Sequence, residues 1–458
     1  MSMRLRSRAP VGAALAVLMV MATSSPGWAS AYPRPLEQQW WFTTWGVQDR
    51  LWPITQGQGV TVAVLDTGVQ ASIPELSGVV LPGTNATGGG GDGRNDLDDA
   101  EYPGHGTGMA SLIAAQGTGT GFVGVAPRVK ILPIVTKGLV GAASAIRYAA
   151  DHKAKVISLS QAKPGACPTD VQDAVGYALE RDAVVVAGAG NDGATTNASM
   201  YPANCLGVLA VGAVDYKFRP WAQTQRQPYV TVAAPGAEVG SVLMDGKFHT
   251  SSGGTSSSTA LTSAAVALVR SEFPKMSARE VVQRIIASAR DVGAPGKDNQ
   301  TGYGLIRPYR ALTEKVPKNS PNPVFAGYDK WAGDKKESAA EGSKSNSSIP
   351  TAWRSLAILL IPAAVIIALI VFFTTRSRRR PAPAGFPHPG PYPPSGGPYP
   401  PPHEGVRSPP PGQAPVPPPA AHPQFIPREG APPQGAPPPR QQPNPGSPDQ
   451  WDAPDRRP

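Results

Sequence analysis

Three residues of this chain have the types and settings that nucleophilic chemistry needs. Asp66 ends an apolar run, Val60-Thr61-Val62-Ala63-Val64-Leu65, and is followed by Thr67-Gly68. His105 sits among glycines in Gly104-His105-Gly106-Thr107-Gly108, at the start of a helical pattern. Ser256 lies in Ser252-Gly253-Gly254-Thr255-Ser256, just ahead of another helical pattern. A carboxylate at a strand end is costly to bury unless a hydrogen bond compensates it. Flanking glycines let a second side chain and a ligand approach an imidazole. A serine at a helix N-terminus has backbone N–H groups aimed at the space beside it, where they can stabilise an oxyanion. Nucleophile, base and orienting carboxylate are the parts that acyl transfer requires. Singly, each residue has an ordinary alternative as a cap, turn or loop residue. Together, in the order Asp, His, Ser within one domain, they match one of the known triad arrangements.

The elements that must position them alternate. Short apolar runs at 60–65, 129–135, 154–158, 183–187 and 208–214 read as strands covered on both faces, as in parallel sheets. Helical patterns occupy 108–115, 142–152, 171–181 and 259–273, and Ser277-Ala278-Arg279-Glu280 is a capping box opening a helix over 278–289. This alternation predicts an α/β domain with a mostly parallel central sheet, its site outside the carboxyl ends of the strands.

The ends of the chain carry addresses. Arg4, Arg6 and Arg8, the apolar run Val11 to Ala22 and Ala29-Ser30-Ala31 predict a secretory signal peptide over 1–31. A second apolar run, Leu356 to Phe373, carries no charge and is long enough to span a bilayer. Arg376, Arg378, Arg379 and Arg380 follow it, which predicts a cytoplasmic C-terminal side. The sequence thus divides into a signal peptide (1–31), an N-terminal arm (32–58), a catalytic domain (59–313), a Lys-, Ser- and Asn-rich linker (314–353), a transmembrane helix (354–375) and a disordered cytoplasmic tail (376–458). The tail is Pro-rich, with Gly390-Pro391-Tyr392-Pro393-Pro394 repeated at Gly397-Pro398-Tyr399-Pro400-Pro401. It is read as a solvated polyproline II-like segment, or as a ligand for a proline-recognising partner.

Cys167 and Cys205, an even pair in an exported domain, are read as one disulfide, with two buried thiols as the alternative. Neither stands in a metal-ligand spacing and there is no H-E-x-x-H, so no metal and no cofactor are expected. Asp92, Asp96, Asp98, Asp99 and Glu101 read as a solvated acidic loop near the cleft mouth, since their spacing fits no standard calcium loop. The net charge of +10 includes the arginines at the chain end and membrane boundary. The domain has no basic stripe interleaved with aromatics, and nucleic acid is not an expected partner.

Val64-Leu65-Asp66-Thr67-Gly68, Gly104-His105-Gly106-Thr107 and Gly254-Thr255-Ser256 resemble the three signature segments of the subtilisin-like protease family. Ala189-Gly190-Asn191 resembles that family's oxyanion segment, which implies Asn191 as the side-chain donor. The resemblance covers nearly all of 59–312 and implies the subtilisin-like three-layer sandwich, peptide-bond hydrolysis and polypeptide substrates. With the signal peptide, the single C-terminal membrane helix and the Gln39-Trp40-Trp41 arm, the chain resembles the mycosins, membrane-anchored proteases of actinobacterial type VII secretion systems. That resemblance implies a cell-membrane protein with its protease domain outside, an arm that wraps the domain, and association with the secretion membrane complex. A bracing role in that complex and a general surface protease are the rival readings. The sequence departs from the family at Ala260, where a proline is usual, and at Ser160-Gln161-Ala162-Lys163, where two glycines are usual. The second departure puts side chains where substrate backbone is expected.

Overall fold

Alternation sets the central layer. In β1 (Thr61–Asp66), Val62 and Val64 enter one buried apolar cluster while Ala63 and Leu65 enter another on the opposite face. The computed structural model of the protein describes residues 34–99, 103–251, 253–317, 319–347 and 351–376. The signal peptide expected at 1–31 and all of the tail beyond Arg376 lie outside the described residues.

The remaining strands are β2 (Thr84–Asn85), β3 (Lys130–Val135), β4 (Val156–Leu159), β5 (Lys163–Pro164), β6 (Val184–Gly188), β7 (Met200–Tyr201), β8 (Leu209–Val214), β9 (Val232–Pro235), β10 (Ser241–Val242) and β11 (Phe248–His249). Seven form one sheet in the order β2-β3-β1-β4-β6-β8-β9, with every pairing parallel. Strand β9 is not among the runs that the sequence marks as strands; it is four residues long and ends in a proline.

The helices are α1 (Trp40–Thr44), α2 (His105–Ala114), α3 (Ala142–Asp151), α4 (Thr169–Glu180), α5 (Thr255–Glu272), α6 (Ala278–Ala287), α7 (Pro308–Thr313), α8 (Pro323–Ser347) and α9 (Thr351–Arg376). Ile146, Val171 and Val175 of α3 and α4 pack with Ala63 and Leu65 on one face of the sheet. Leu112, Val266 and Val281 of α2, α5 and α6 pack with Val62 and Val64 on the other. The result is three layers. From β1 the chain first builds β2 and β3 on one side and later β4 on the other, so the order reverses at β1. A crevice opens at such a reversal, at the carboxyl end of the strand; Asp66 is the last residue of β1.

The arm is a buried structural layer. Trp41, Phe42, Trp45 and Leu51 are fully buried in the cluster that holds α2 and α5. Polar tips tie the arm down: Gln39 Nε2 donates to the Val123 carbonyl at 2.7 Å and Trp52 Nε1 to the Val125 carbonyl at 2.9 Å.

The segment expected to be a linker over 314–353 differs from expectation. It contains α8, whose first half packs on the domain: Val324, Phe325 and Tyr328 are buried and Trp331 is partly so. Phe325, Tyr328 and Trp331 recur at three-residue spacing and share a helix face. Asp329 pairs with Arg279 of α6, whose guanidinium also lies 4.5 Å from the Phe325 ring, and Lys335 pairs with Asp173 of α4. The surrounding Lys, Ser and Gly content masks that short aromatic stripe in the sequence.

The described residues fall into two units, divided between 339 and 340. In the second unit α9 runs for 26 residues with Pro362 inside it. At about 1.5 Å per residue such a helix is about 39 Å long. Val365, Ile366, Ile367, Leu369, Ile370, Val371, Phe372 and Phe373 are all exposed. Among the described residues, no helix is long and apolar enough to cross a membrane. Residues 364–375 of α9 have described side chains but are too few for a span of about 30 Å; most of the earlier half of the apolar run lies outside those described side chains.

Candidate active site

Asp66 is completely buried, and its Oδ1 accepts the Thr67 N–H at 2.8 Å and faces Nδ1 of His105 at 2.7 Å. Against a carboxylate Nδ1 carries the proton, which leaves Nε2 as the nitrogen that titrates. The close approach of α2 to the end of β1 depends on Gly106. A Cβ there would lie 2.0 Å from the Gly68 carbonyl oxygen and 3.1 Å from the Asp66 Cβ.

Helix α2 begins at His105, one turn earlier than the sequence pattern indicates, and its N-cap, Gly104, has no side chain to offer. The exposed donors of its first turn are met from elsewhere. Asp98 Oδ2 accepts from the N–H groups of Gly104 (3.2 Å) and His105 (3.0 Å). Thr67 Oγ1 accepts from Gly106 N–H at 3.0 Å, and Asp96 Oδ2 accepts from Thr107 N–H at 2.8 Å. The acidic loop is therefore not simply solvated: Asp96 is buried and Asp98 half-buried against the helix start. Burial pushes the Asp96 carboxyl up, against hydrogen bonds from Thr107 and Thr67.

The imidazole of His105 is 37% exposed on its cleft side. Burial of the rest of the ring disfavours its charged form. The charge and hydrogen bond of Asp66, with the charges of Asp98 and Asp96, outweigh that and raise its pKa from 6.5 to about 9.

Ser256 is the second residue of α5, which starts at Thr255 and not at Thr259. Its Oγ donates to the Ser160 carbonyl at 2.8 Å, and Ser160 Oγ donates to the Ser256 carbonyl at 3.1 Å. This reciprocal pair was not visible in the sequence. Asn191 follows the end of β6 by three positions and caps α5: its Oδ1 accepts from both the N–H and the Oγ1–H of Thr255 at 2.9 Å. With Oδ1 so engaged, Nδ2 is left for the cleft. A Cβ on Gly254 would lie 3.7 Å from both Asn191 Nδ2 and the Ser256 N, so both donors border the space that this glycine leaves open.

His105, Asn191 and Ser256 line one cleft of about 680 Å³, with Asp98, Met109 and Leu243. A smaller pocket of about 240 Å³ adjoins it, lined by Ser160, Ala162, Gly190, Met200 and Ser256 among others. Ala162 thus forms part of a pocket wall, while Lys163 is exposed and pairs with Tyr201 across β5 and β7. Ala260 is fully buried inside α5, where alanine is the most favourable helix residue. Cys167 and Cys205 are joined in a disulfide with Cα atoms 5.1 Å apart, bridging the segments that flank β5 and β7. Among the described residues, no cluster of acidic, His and Cys side chains is arranged to hold a metal ion.

The family model described as the subtilase family matches residues 57–304. Fervidolysin of Fervidobacterium pennivorans is 31% identical over 357 residues, covering 69% of this chain and 48% of its own. Mycosin-4 of Mycobacterium tuberculosis is 32% identical over 389 residues, covering 72% of this chain and 80% of its own. The chain spans about half the length of fervidolysin and most of Mycosin-4. Among solved structures, the MycP3 protease from the type VII (ESX-3) secretion system superposes with a TM-score of 0.54 at 30% identity, covering 62% of this chain and 91% of its own. A chain of the periplasmic assembly from the ESX-5 inner membrane complex does so with a TM-score of 0.53 at 30% identity, covering 62% and 86%.

Proposed function

The chain belongs to the subtilase family as a mycosin-type serine protease, and we propose that Asp66, His105 and Ser256 are its catalytic triad and Asn191 its oxyanion donor. The Asp66–His105 pair, 2.7 Å apart at the edge of a cleft that Ser256 and Asn191 also line, carries this reading. Neutral His105 takes the Ser256 proton through Nε2 as Oγ attacks the substrate carbonyl. For this the hydroxyl turns away from the Ser160 carbonyl, a rotation about one side-chain bond; catalytic hydrogen bonds are often looser before substrate binds. Asp66 holds the tautomer and stabilises the imidazolium. Asn191 Nδ2 and the Ser256 N–H hold the oxyanion, helped by the positive end of α5. His105 then protonates the leaving amine, and water repeats the sequence on the acyl-enzyme. The reaction needs no cofactor.

The domain acts outside the cell membrane on polypeptide substrates and is anchored by the apolar run of α9, with the arginines beyond Phe373 on the cytoplasmic side. The exposed aliphatic and aromatic side chains of α9 support the anchor. The likeness to MycP3 and to a chain of the ESX-5 inner membrane complex supports a place in a type VII secretion complex and substrates among its cargo. The same likeness favours a second role, bracing that complex.

Labelling of the full-length protein in membranes by a fluorophosphonate probe tests the triad, and Ser256→Ala is expected to abolish it. A folded wild type that never labels would sink the enzymatic assignment. In cells, Ser256→Ala is expected to stop substrate processing and leave secretion largely intact, while deletion stops both. Protease added to spheroplasts should cut a tag in 314–322 and spare one at Pro458.

A further inference from the structure

We infer that Asp98 is a positioning residue for His105: it fixes the backbone from which the imidazole projects and places its carboxylate on the cleft that the ring faces. This rests on the triad assignment above. The geometry is specific. One carboxylate oxygen, Oδ2, accepts the N–H of His105 itself and that of Gly104 before it, so the start of α2 is pinned by a residue seven positions upstream. Asp98 also lines the cleft that His105 faces. It therefore stands between the backbone of the base and the solvent through which a substrate enters.

The helix needs such a partner. Gly104 offers no capping side chain and its φ of 109° lies in the left-handed region, so the turn into α2 has neither a local cap nor an ordinary backbone. Without Asp98 the two leading N–H groups lose a charge-assisted acceptor, which is worth roughly twice a neutral one. The imidazole is carried on the first residue of the helix, so looseness in that turn moves Nε2 directly.

The second half of the role is electrostatic. The charged and titratable groups around the ring are Asp66 from β1 and Asp96 and Asp98 from the loop ahead of α2, and His249 of β11, which pairs with Asp245, lines the same cleft. Asp66 and Asp96 are buried and their influence on the ring is little screened; Asp98 is half-buried at the cleft edge. Its charge biases the base toward the protonated state in the resting enzyme. A substrate whose positive group meets Asp98 would weaken that bias and free Nε2.

The rate of fluorophosphonate labelling against pH, measured on the full-length protein in membranes, reads His105 without a known substrate. In wild type the rate rises as His105 loses its proton. Asp98→Asn keeps an oxygen that can accept both N–H groups but removes the charge. Its rise is expected to shift to lower pH by about one unit, the size typical of a neighbouring charge, with the plateau rate within about threefold of wild type. Asp98→Ala also removes the acceptor; its plateau should fall about tenfold or more, and Asp98→Asn should recover it. Superimposable pH profiles for wild type and Asp98→Asn would overturn the inference, as would a plateau equally low in both variants. Should Asp98→Asn not fold, the wild type still decides it. High salt screens a half-exposed charge far more than buried ones, so the rise must move to lower pH with salt, and an unmoved profile counts against Asp98. A wild type that does not label at any pH removes the triad assignment, and this inference with it.

Discussion

Helices α2 and α5 each carry a member of the proposed triad in their first turn, and they are capped in opposite ways. The start of α2 meets two carboxylates, Asp96 and Asp98, and a hydroxyl from Thr67. The start of α5 meets a neutral amide, Asn191, and no acidic residue lies in its first turn. The consequence follows from the helix dipole. Anions at α2 offset its positive end and favour a cation on His105, the group that becomes positive in the proposed mechanism. A neutral cap on α5 leaves its positive end free to stabilise the oxyanion proposed to form beside Ser256. The same structural device, a helix N-terminus, is tuned for two charges of opposite sign by the choice of cap.

The largest expected effect is at the residue that uses the α5 terminus. Ser256→Ala should lower kcat by on the order of 10⁶, the cost of losing a subtilisin-type nucleophile, with unfolding unchanged; hydrolysis of a peptide substrate and a thermal melt check both.

Exchanging the two kinds of cap breaks the comparison directly. Asn191→Ala should cost roughly 10²–10³ in kcat by removing one oxyanion donor. Asn191→Asp keeps an oxygen on Thr255, so stability should hold, yet it places an anion beside the developing negative charge. Its kcat should fall below that of Asn191→Ala; a value above it would mean that the neutrality of this cap is irrelevant.

The disulfide joins the segment after β5 to the segment after β7. It closes 38 residues of sequence separation, and the chain-entropy model gives its loss a cost of roughly 3–4 kcal/mol. Denaturant unfolding of Cys167→Ala/Cys205→Ala should show that loss. Neither cysteine lies in α2 or the loop ahead of it, so the rise of labelling with pH should stay where it is in wild type.

On the α2 side the sharper test is pH. His105 has its pKa raised from 6.5 to about 9, so folding favours the charged ring. The stability this supplies is fully present below about pH 6.5 and is lost as pH rises through about 9. Activity should run the other way if His105 is the base proposed here, because only the neutral ring can take a proton, so kcat/KM should climb across the same interval. Proton release by the ring, followed by NMR, locates the midpoint.

The smallest effect is expected at Thr67, which accepts from Gly106 N–H. Thr67→Val keeps the shape and removes that acceptor, for about 1 kcal/mol by analogy with other N-terminal caps, seen as a lowered denaturation midpoint.

The sequence-readable part of this protein is what local pattern dictates. Apolar runs such as 60–65 and 208–214 are legible because strands buried on both faces must be apolar throughout. The capping box at Ser277 and Glu280 is legible because its partners are three residues apart, and both of its hydrogen bonds form. The segments around Asp66, His105 and Ser256 are legible because close approach demands glycine. What local pattern could not show is where the two decisive helices start. His105-Gly106-Thr107-Gly108 and Thr255-Ser256-Ser257-Ser258 are poor helix formers, and the pattern placed both helices about a turn too late. They are helical because Asp98, Asp96 and Thr67, or Asn191 sixty-four positions upstream, satisfy their leading N–H groups. The arm and α8 were settled in the same way, by aromatic side chains that find cover only on the finished domain. Sequence alone singled out the residues proposed to carry the chemistry, since side-chain type and glycine spacing are local properties. Only the tertiary structure decided how those residues are aimed and charged, since the groups that cap, bury and polarise them arrive from distant parts of the chain.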